Sequence, residues 1–474
     1  MANPNIIFIM ADDMGWGDLS CYGAKKIYTP NMDRVAAEGI QFRDAHSPSA
    51  VCTPSRYGVV TGRYCWRTWL KRSVLGGFGS PLIEPDRPTV GSFLKQHGYT
   101  TASVGKWHLG LTWTKKDGSI LQEQHSIQDG QRDDGFDVDY TVPVKNGPTT
   151  LGFDYSFNIA GSLDMSPYCF IENDRCVEPP DRPKEDRAPQ QRPGMVSPGW
   201  RDDLVDVQFA EKAVAFIDQC ADSPDPFFLY LTPAAPHRPN LPPDFATGKT
   251  KAGPRGDMVW MVDWMVGQVL DALDRNGLAE NTLIMVTSDN GSRNVDYEGR
   301  DWGHKPNGDW RGQKADIWEG GHREPFVARW PGHITPGSTS DQTFCLVDLF
   351  ATCADIVGAE LPNDAAEDSF SVRAALVGEH NGDEPIRPPV IHHSAQGMFS
   401  VRSGAWKMVD GLGSGGFTEP RSEEPIPGGP RGQLYNLETD PYERENIWLD
   451  QCDVVMDMLE VLETVRKEGR SRPA

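Results

Sequence analysis

A recurring unit organises the first two thirds of the chain: a short continuous apolar run followed at once by a polar cluster. Asn5-Ile-Ile-Phe-Ile-Met10 leads into Ala11-Asp-Asp-Met-Gly-Trp-Gly-Asp18, and Thr100 to Val104 leads into Gly105-Lys-Trp-His-Leu-Gly110. Phe227-Phe-Leu-Tyr-Leu231 leads into Thr232-Pro-Ala-Ala-Pro-His237, and Thr282-Leu-Ile-Met-Val-Thr287 leads into Ser288-Asp-Asn-Gly291. Apolar runs of this length suit parallel strands buried on both faces. Helices are predicted between them: Pro30 to Gly39, Leu204 to Cys220, and Arg255 to Asn276, the last stopping at the C-cap signal Asn276-Gly277. Strand alternating with helix predicts an α/β fold with a doubly wound sheet. Such sheets bind ligands outside the carboxyl ends of their strands, where all four polar clusters fall.

The texture changes near residue 385. Val390-Ile-His-His393, Met398 to Arg402, Trp406 to Val409 and Gln433 to Leu437 read as short strands, and Asp450 to Glu468 as a final helix. This predicts a catalytic domain over residues 1–385 and a small α+β domain with an antiparallel sheet over 386–474. Glu178 to Trp200 and Gly411 to Gly432 are rich in Pro, Gly and charge and read as long loops, either lids or surface excursions.

A formal net charge of -22 over 474 residues excludes two classes of partner. Nucleic acid and anionic membrane both require clustered cations. An anionic small substrate stays open, because a local site can oppose the global field. No stretch is long and apolar enough to span a bilayer, and Ile6 to Met10 is too short for a signal h-region. The chain as written therefore reads as cytoplasmic, or as periplasmic or secreted if a leader has been removed. Nine cysteines without a CxxC are not a disulfide framework; Cys169 and Cys176 are the one candidate local pair. Oligomeric state is not readable.

Four groups carry candidate chemistry. In Cys52-Thr-Pro-Ser-Arg56, Thr53 can cap a helix and Pro54 suits its first turn. Cys52 is then expected just before a helix N-terminus, where an anionic nucleophile is stabilised, and Arg56 can return to the same side. Asp12-Asp13 and Asp289-Asn290, at the ends of neighbouring strands, offer the oxygen set of a hard-cation site. Lys106 and His108 alternate, and both can face one way if their strand continues. Together with His237 and either Lys305 or Lys314, they and Arg56 would line a cleft for an anion beside a metal.

Taken together, these blocks resemble the type I sulfatases of the alkaline phosphatase superfamily. The resemblance rests on Cys52-Thr-Pro-Ser-Arg56 with Thr61-Gly-Arg63, Asn5 to Asp18, Gly105-Lys-Trp-His-Leu-Gly110, Pro236-His237, Ser288-Asp-Asn-Gly291, Trp318-Glu-Gly-Gly-His-Arg-Glu-Pro325 and Leu434-Tyr-Asn-Leu-Glu-Thr-Asp-Pro441, in the family's order across nearly the whole chain. It implies an alkaline-phosphatase-like fold: a large mixed, mostly parallel sheet between helices, with a small C-terminal sheet domain. It also implies that Cys52 is oxidised to formylglycine by a formylglycine-generating enzyme. The aldehyde's hydrate attacks sulfur, and loss of its second hydroxyl proton expels sulfate. Asp12, Asp13, Asp289 and Asn290, with the modified Cys52, would hold calcium, or magnesium in its place. Asp289 is the implied base, Arg56 steadies the nucleophile, His108 takes the second proton, and His237 with Lys106 protonates the leaving oxygen. Lys314 matches the family's second sulfate-binding lysine better than Lys305, and Ser162 matches a polar residue beside the diol.

The implied substrate is an aryl sulfate or a sulfated carbohydrate, with Trp107, Trp113, Trp302, Trp310, His392 and His393 as candidates to line a sugar subsite and core packing as the alternative for most of the tryptophans. A phosphonate monoester or phosphodiester hydrolase with the same modified cysteine is the alternative enzyme. An anion-binding protein with unmodified Cys52 is the alternative from another class. A two-metal phosphatase would need a further His/Asp set that Asp296, Asp301 and His304 do not complete.

Overall fold

A computed structural model describes residues 3–294, 300–380, 382 and 384–473; Asp296 lies outside them. In chain order the strands are β1 (Asn5–Ala11), β2 (Ile40–His46), β3 (Thr100–Lys106), β4 (Tyr155–Ile159), β5 (Ile171–Glu172), β6 (Arg175–Cys176), β7 (Arg182–Pro183), β8 (Met195–Val196), β9 (Phe227–Thr232), β10 (Thr282–Ser288), β11 (Arg323–Arg329), β12 (Ser338–Ser340), β13 (Phe344–Cys345), β14 (Val390–His393), β15 (Phe399–Ser403), β16 (Trp406–Val409) and β17 (Gln433–Asn436). The α-helices are α1 (Pro30–Ala37), α2 (Cys52–Thr61), α3 (Val90–Gln96), α4 (Val205–Cys220), α5 (Gly253–Arg275), α6 (Glu319–His322), α7 (Leu349–Ile356), α8 (Arg373–Leu376) and α9 (Cys452–Glu468).

The four apolar runs become the centre of one 11-stranded sheet, ordered β12-β2-β11-β10-β1-β9-β3-β4-β5-β6, with β13 also paired to β2. β10, β1, β9, β3 and β4 run parallel. β11 is antiparallel to both β10 and β2, so the sheet is mixed. Every residue of β1, β9 and β10 is buried, as the unbroken apolar runs require. One face packs against α1, α4 and α5, where Ile7, Ile9, Phe209, Val262 and Val266 meet. The other packs against α2, α3 and α7, where Phe8, Val59, Phe93 and Phe350 meet. Burial of both faces is the main stabilising term, at about 25 cal/mol per Å² of apolar surface.

The second sheet is antiparallel, β14-β15-β16-β17. α9 packs on it through Val455, Met458 and Leu462, and its core includes Tyr64, Trp66 and Val347 from the larger part. The expected loop Glu178 to Trp200 contains a small ribbon, β7 paired with β8. Cys169 and Cys176 hold their sulfurs 3.8 Å apart as free thiols, so the candidate bridge is not formed. No helix of the described residues is long and apolar enough to cross a membrane.

Candidate active site

The carboxyl ends of β1, β10, β3 and β9 meet, as the strand order demands, and deliver Asp12, Asp13, Asp289, Asn290, Lys106 and His237 to one edge. Parallel pairing sets Ala11 beside Ser288, so the two acidic pairs emerge side by side. Gly105 permits the close approach of β3 to β9: its φ is +119°, and a Cβ there would meet the Thr232 carbonyl oxygen at 2.0 Å. Asp13 and His108 both adopt left-handed backbone, at φ 66° and 58°. Such conformations in non-glycine residues cluster at functional sites.

Cys52 differs from expectation in one detail. It is the first residue of α2, not the residue before it; Val51 is the N-cap, and Thr53 Oγ1 instead accepts from the Leu75 amide at 3.3 Å. The effect on the site is the same. The Cys52 side chain lies at the helix N-terminus, where unpaired N–H groups favour an anion. Burial raises its thiol, partly offset by Lys106 and Lys314. One ligand atom from each of Asp12, Cys52 and Asp289 lies within 4.8 Å of the others.

Arg56, one turn along α2, points back into this group. Its Nε donates to Asp289 Oδ2 at 2.9 Å and its Nη1 to the Lys106 carbonyl at 2.9 Å. Lys106 Nζ meets Asp12 Oδ2 at 2.6 Å, and Lys314 Nζ meets Asp13 Oδ1 at 2.5 Å. Burial alone would raise Asp12 and Asp13, but these cations with His237 outweigh it and hold both below the usual carboxylate range. Asp289 goes the other way: burial lifts it to about 6 in spite of Arg56. Two oxygens, Asp12 Oδ1 and Asn290 Oδ1, are buried without a hydrogen-bond partner. Unpartnered buried acceptors are costly, and an all-oxygen set with one nucleophile is the donor chemistry of calcium. The residues therefore fit a hard cation.

The histidines have assigned atoms. His108 Nε2 lies 2.9 Å from the Leu75 carbonyl, which can only accept, so Nε2 carries the proton and the buried, unpartnered Nδ1 is the basic atom. Its strand stops at Lys106, so the expected alternation is replaced by a turn; His108 is brought back by its left-handed backbone. His237 Nδ1 donates to the Arg238 carbonyl at 2.9 Å, which turns Nε2 toward Asp13 Oδ2 at 3.8 Å. Burial lowers both imidazoles; charge contributions from Lys106 and Arg56 add to this at His108.

Of the two lysines, Lys314 is in the group, whereas Lys305 is exposed and paired with Asp309. Ser162 is buried in the turn after β4 with an unpartnered hydroxyl; Met165 of the same turn packs in one apolar cluster with Cys52. Trp107, Trp113, His392 and His393 are buried in packing and hydrogen bonding, so they cannot line an open sugar subsite. Trp302 is 38% exposed, and Trp310 is half-buried. The sequence reading missed Asp164. It is buried close to His237 and is paired with Arg192 at 3.1 Å and Arg238 at 2.8 Å. Only its place in Gly161-Ser-Leu-Asp164, beside Ser162, hinted at it.

Known proteins resemble this chain over its whole length. The Sulfatase family profile matches residues 4–359. The N-acetylgalactosamine-6-O-sulfatase of Bacteroides thetaiotaomicron is 32% identical over 98% of this chain and 93% of its own. Human arylsulfatase A is 32% identical over 85% of this chain and 74% of its own. A solved structure described under the metabolism of multiple glycosaminoglycans by Bacteroides thetaiotaomicron has a TM-score of 0.85 at 31% identity, covering 98% of this chain and 100% of that one. A Pseudoalteromonas sulfatase shares the fold at a TM-score of 0.75 and 24% identity, covering 99% and 92%.

Proposed function

This chain belongs to the sulfatase family of sulfuric ester hydrolases, and from that premise we propose that it hydrolyses carbohydrate or aryl sulfate esters with a formylglycine made from Cys52 and a bound calcium ion. The observation that supports this most is the convergence of Cys52, Asp12 and Asp289, together with the buried, unpartnered oxygens of Asp12 and Asn290. Asp12, Asp13, Asp289, Asn290 and the modified Cys52 would hold the cation. When bound, the two groups supply an activated hydroxyl nucleophile and polarise the sulfate oxygens.

The remaining chemistry belongs to the chain. Asp289, with a pKa near 6, is suited to accept the proton of the attacking hydroxyl. Arg56 bridges Asp289 and the end of β3 and so fixes the nucleophile's surroundings. Lys106 and Lys314 place two ammonium groups where sulfate charge must be met. His237 Nε2 delivers a proton to the leaving oxygen. His108 Nδ1 accepts the proton whose removal releases sulfate. The carbohydrate preference rests on the relative named N-acetylgalactosamine-6-O-sulfatase.

The test is release of sulfate from 4-nitrophenyl sulfate and from N-acetylgalactosamine 6-sulfate by protein made in a host that oxidises the cysteine, with calcium present. Release from both is expected. Cleavage of a phosphonate monoester or phosphodiester without sulfate release would replace this reading with the alternative hydrolase.

A further inference from the structure

Asp13 holds its left-handed backbone, at φ 66°, inside a network that the catalytic steps do not use. A non-glycine residue keeps that conformation only where its surroundings impose it. Asp13 stands where the ladder of β1 gives way to a turn. Its amide donates to Asp289 Oδ1 at 3.3 Å, and the Met14 amide donates to Ser288 Oγ at 2.9 Å. Its carbonyl oxygen, cut off from the sheet, needs a donor of its own. Arg255 Nη2 supplies it at 2.9 Å.

Arg255 comes from the first turn of α5 and is buried. The same guanidinium grips Asp18 with both terminal nitrogens, Nη1 to Oδ1 at 3.0 Å and Nη2 to Oδ2 at 2.6 Å. Asp18 Oδ2 also accepts the Gly15 amide at 2.7 Å, and Oδ1 takes His304 Nε2 at 2.7 Å. One guanidinium therefore closes the turn from Asp13 to Asp18 on itself. Three residues past His304, Asn307 ties in the turn after β10. Its Oδ1 accepts from the Ser292 amide at 2.9 Å, and its Nδ2 donates to the Ser292 carbonyl at 2.7 Å. Burial works to raise Asp18, but Arg255 and His304 outweigh it and hold it at about 2, so the carboxylate is ionised near neutral pH.

We propose that Arg255, acting with Asp18, is a positioning residue for the calcium site: it holds Asp13 in the backbone conformation that presents its carboxylate to the ion. The inference rests on the calcium reading above. Arg255 reaches the site through the Asp13 carbonyl and not through a ligand atom. With the clamp in place the turn is shaped before the ion arrives. Without it calcium itself must impose the left-handed backbone, and its affinity falls accordingly.

The test is calorimetric titration of calcium into chelator-stripped protein, made in a host that oxidises the cysteine. It compares the unaltered chain with Arg255→Lys, Asp18→Asn and the double variant. Lysine keeps the charge but lacks the planar fork that bridges these acceptors, and asparagine keeps an acceptor for the Gly15 amide. Each single variant is expected to weaken calcium binding by roughly tenfold or more. The double variant should lose no more than the worse single, because both residues act through one clamp. Lys407→Met is the control: it loosens a different buried cluster, around Glu319 and Glu443, and should bind calcium as the unaltered chain does. Unchanged affinity in both single variants would overturn the proposal. So would losses no larger than that of Lys407→Met, or losses that simply add in the double variant. If the unaltered chain binds no calcium, the clamp and the metal site fall together. Calcium binding that weakens as expected in the variants, without sulfate release by the unaltered chain, would refute the hydrolase reading and leave the clamp standing.

Discussion

Two buried charge clusters sit at the carboxyl edge of the large sheet, and they hold similar charges to different ends. Around Cys52, the carboxylates of Asp12, Asp13 and Asp289 face Arg56, Lys106 and Lys314. Behind it, Asp44, Glu319 and Glu443 face Arg323, Arg402 and Lys407. In the second cluster every carboxylate has a cation partner, although Arg402 Nε and Nη1 stay buried without an acceptor. Lys407 bridges Glu319 at 3.0 Å and Glu443 at 2.8 Å, Arg323 joins Glu319 at 2.8 Å to Asp44 at 2.5 Å, and His46 caps Asp44 at 2.9 Å. His46, His322 and His392 bring ring nitrogens within 4.8 Å of one another. His322 and His392, however, stack face to face at 4.0 Å, which aims their nitrogens along near-parallel planes instead of at a shared ion. The first cluster leaves Asp12 Oδ1 and Asn290 Oδ1 without donors, beside a nucleophile at a helix N-terminus. Burial and charge density are common to both; carboxylate and amide oxygens without hydrogen-bond donors, beside Cys52 at a helix N-terminus, distinguish the first.

The comparison breaks most visibly at its centre. Cys52→Ala should lower sulfate release by on the order of 10⁴-fold or more, with little change in melting temperature. Lys407→Met should do the reverse. It leaves Glu319 and Glu443 buried without their cation, at a cost of roughly 3–5 kcal/mol in denaturant unfolding, while the folded fraction keeps its kcat. If Lys407→Met spared stability and removed activity, the second cluster would be part of the machinery. His237→Gln should lower kcat by about 10²–10⁴-fold on a sugar sulfate, and by less on 4-nitrophenyl sulfate, whose leaving group needs no proton.

The smallest effect is a pH dependence. Burial raises Asp289 to about 6, above its unfolded value. A carboxylate shifted upward favours the folded state at low pH and loses that contribution as pH rises from about 4 through about 6. Calcium needs the ionised form and so restores stability above that range. Melting scans should show a calcium-induced increase that grows from pH 5 to pH 7. A pH-independent increase would place the cation elsewhere.

The placement of much of the candidate site was legible because buried parallel strands write themselves as unbroken apolar runs, and the polar cluster after each run lies at the ligand edge. Asp12, Asp13, Lys106, His237, Asp289 and Asn290 followed from that alone. What the sequence left open or missed lies where tertiary contacts decide. Trp107 and His392 carry the right side chains for a sugar subsite but are enclosed by packing no local pattern reveals. Lys407 finds Glu319 across 88 residues of chain. Asp164, Arg192 and Arg238 come together from three segments whose loops have no periodicity to read. Helix ends shifted by one or two residues, as with Cys52, because capping depends on backbone angles that Thr53 and Pro54 do not fix by themselves.

The central claim is a chemical change at one residue. Mass spectrometry of the peptide containing residue 52, taken from protein that is actively releasing sulfate, tests it most directly. The account predicts the loss of mass that accompanies conversion of the cysteine thiol to an aldehyde, in proportion to activity. An unmodified thiol at Cys52 in fully active protein would contradict it.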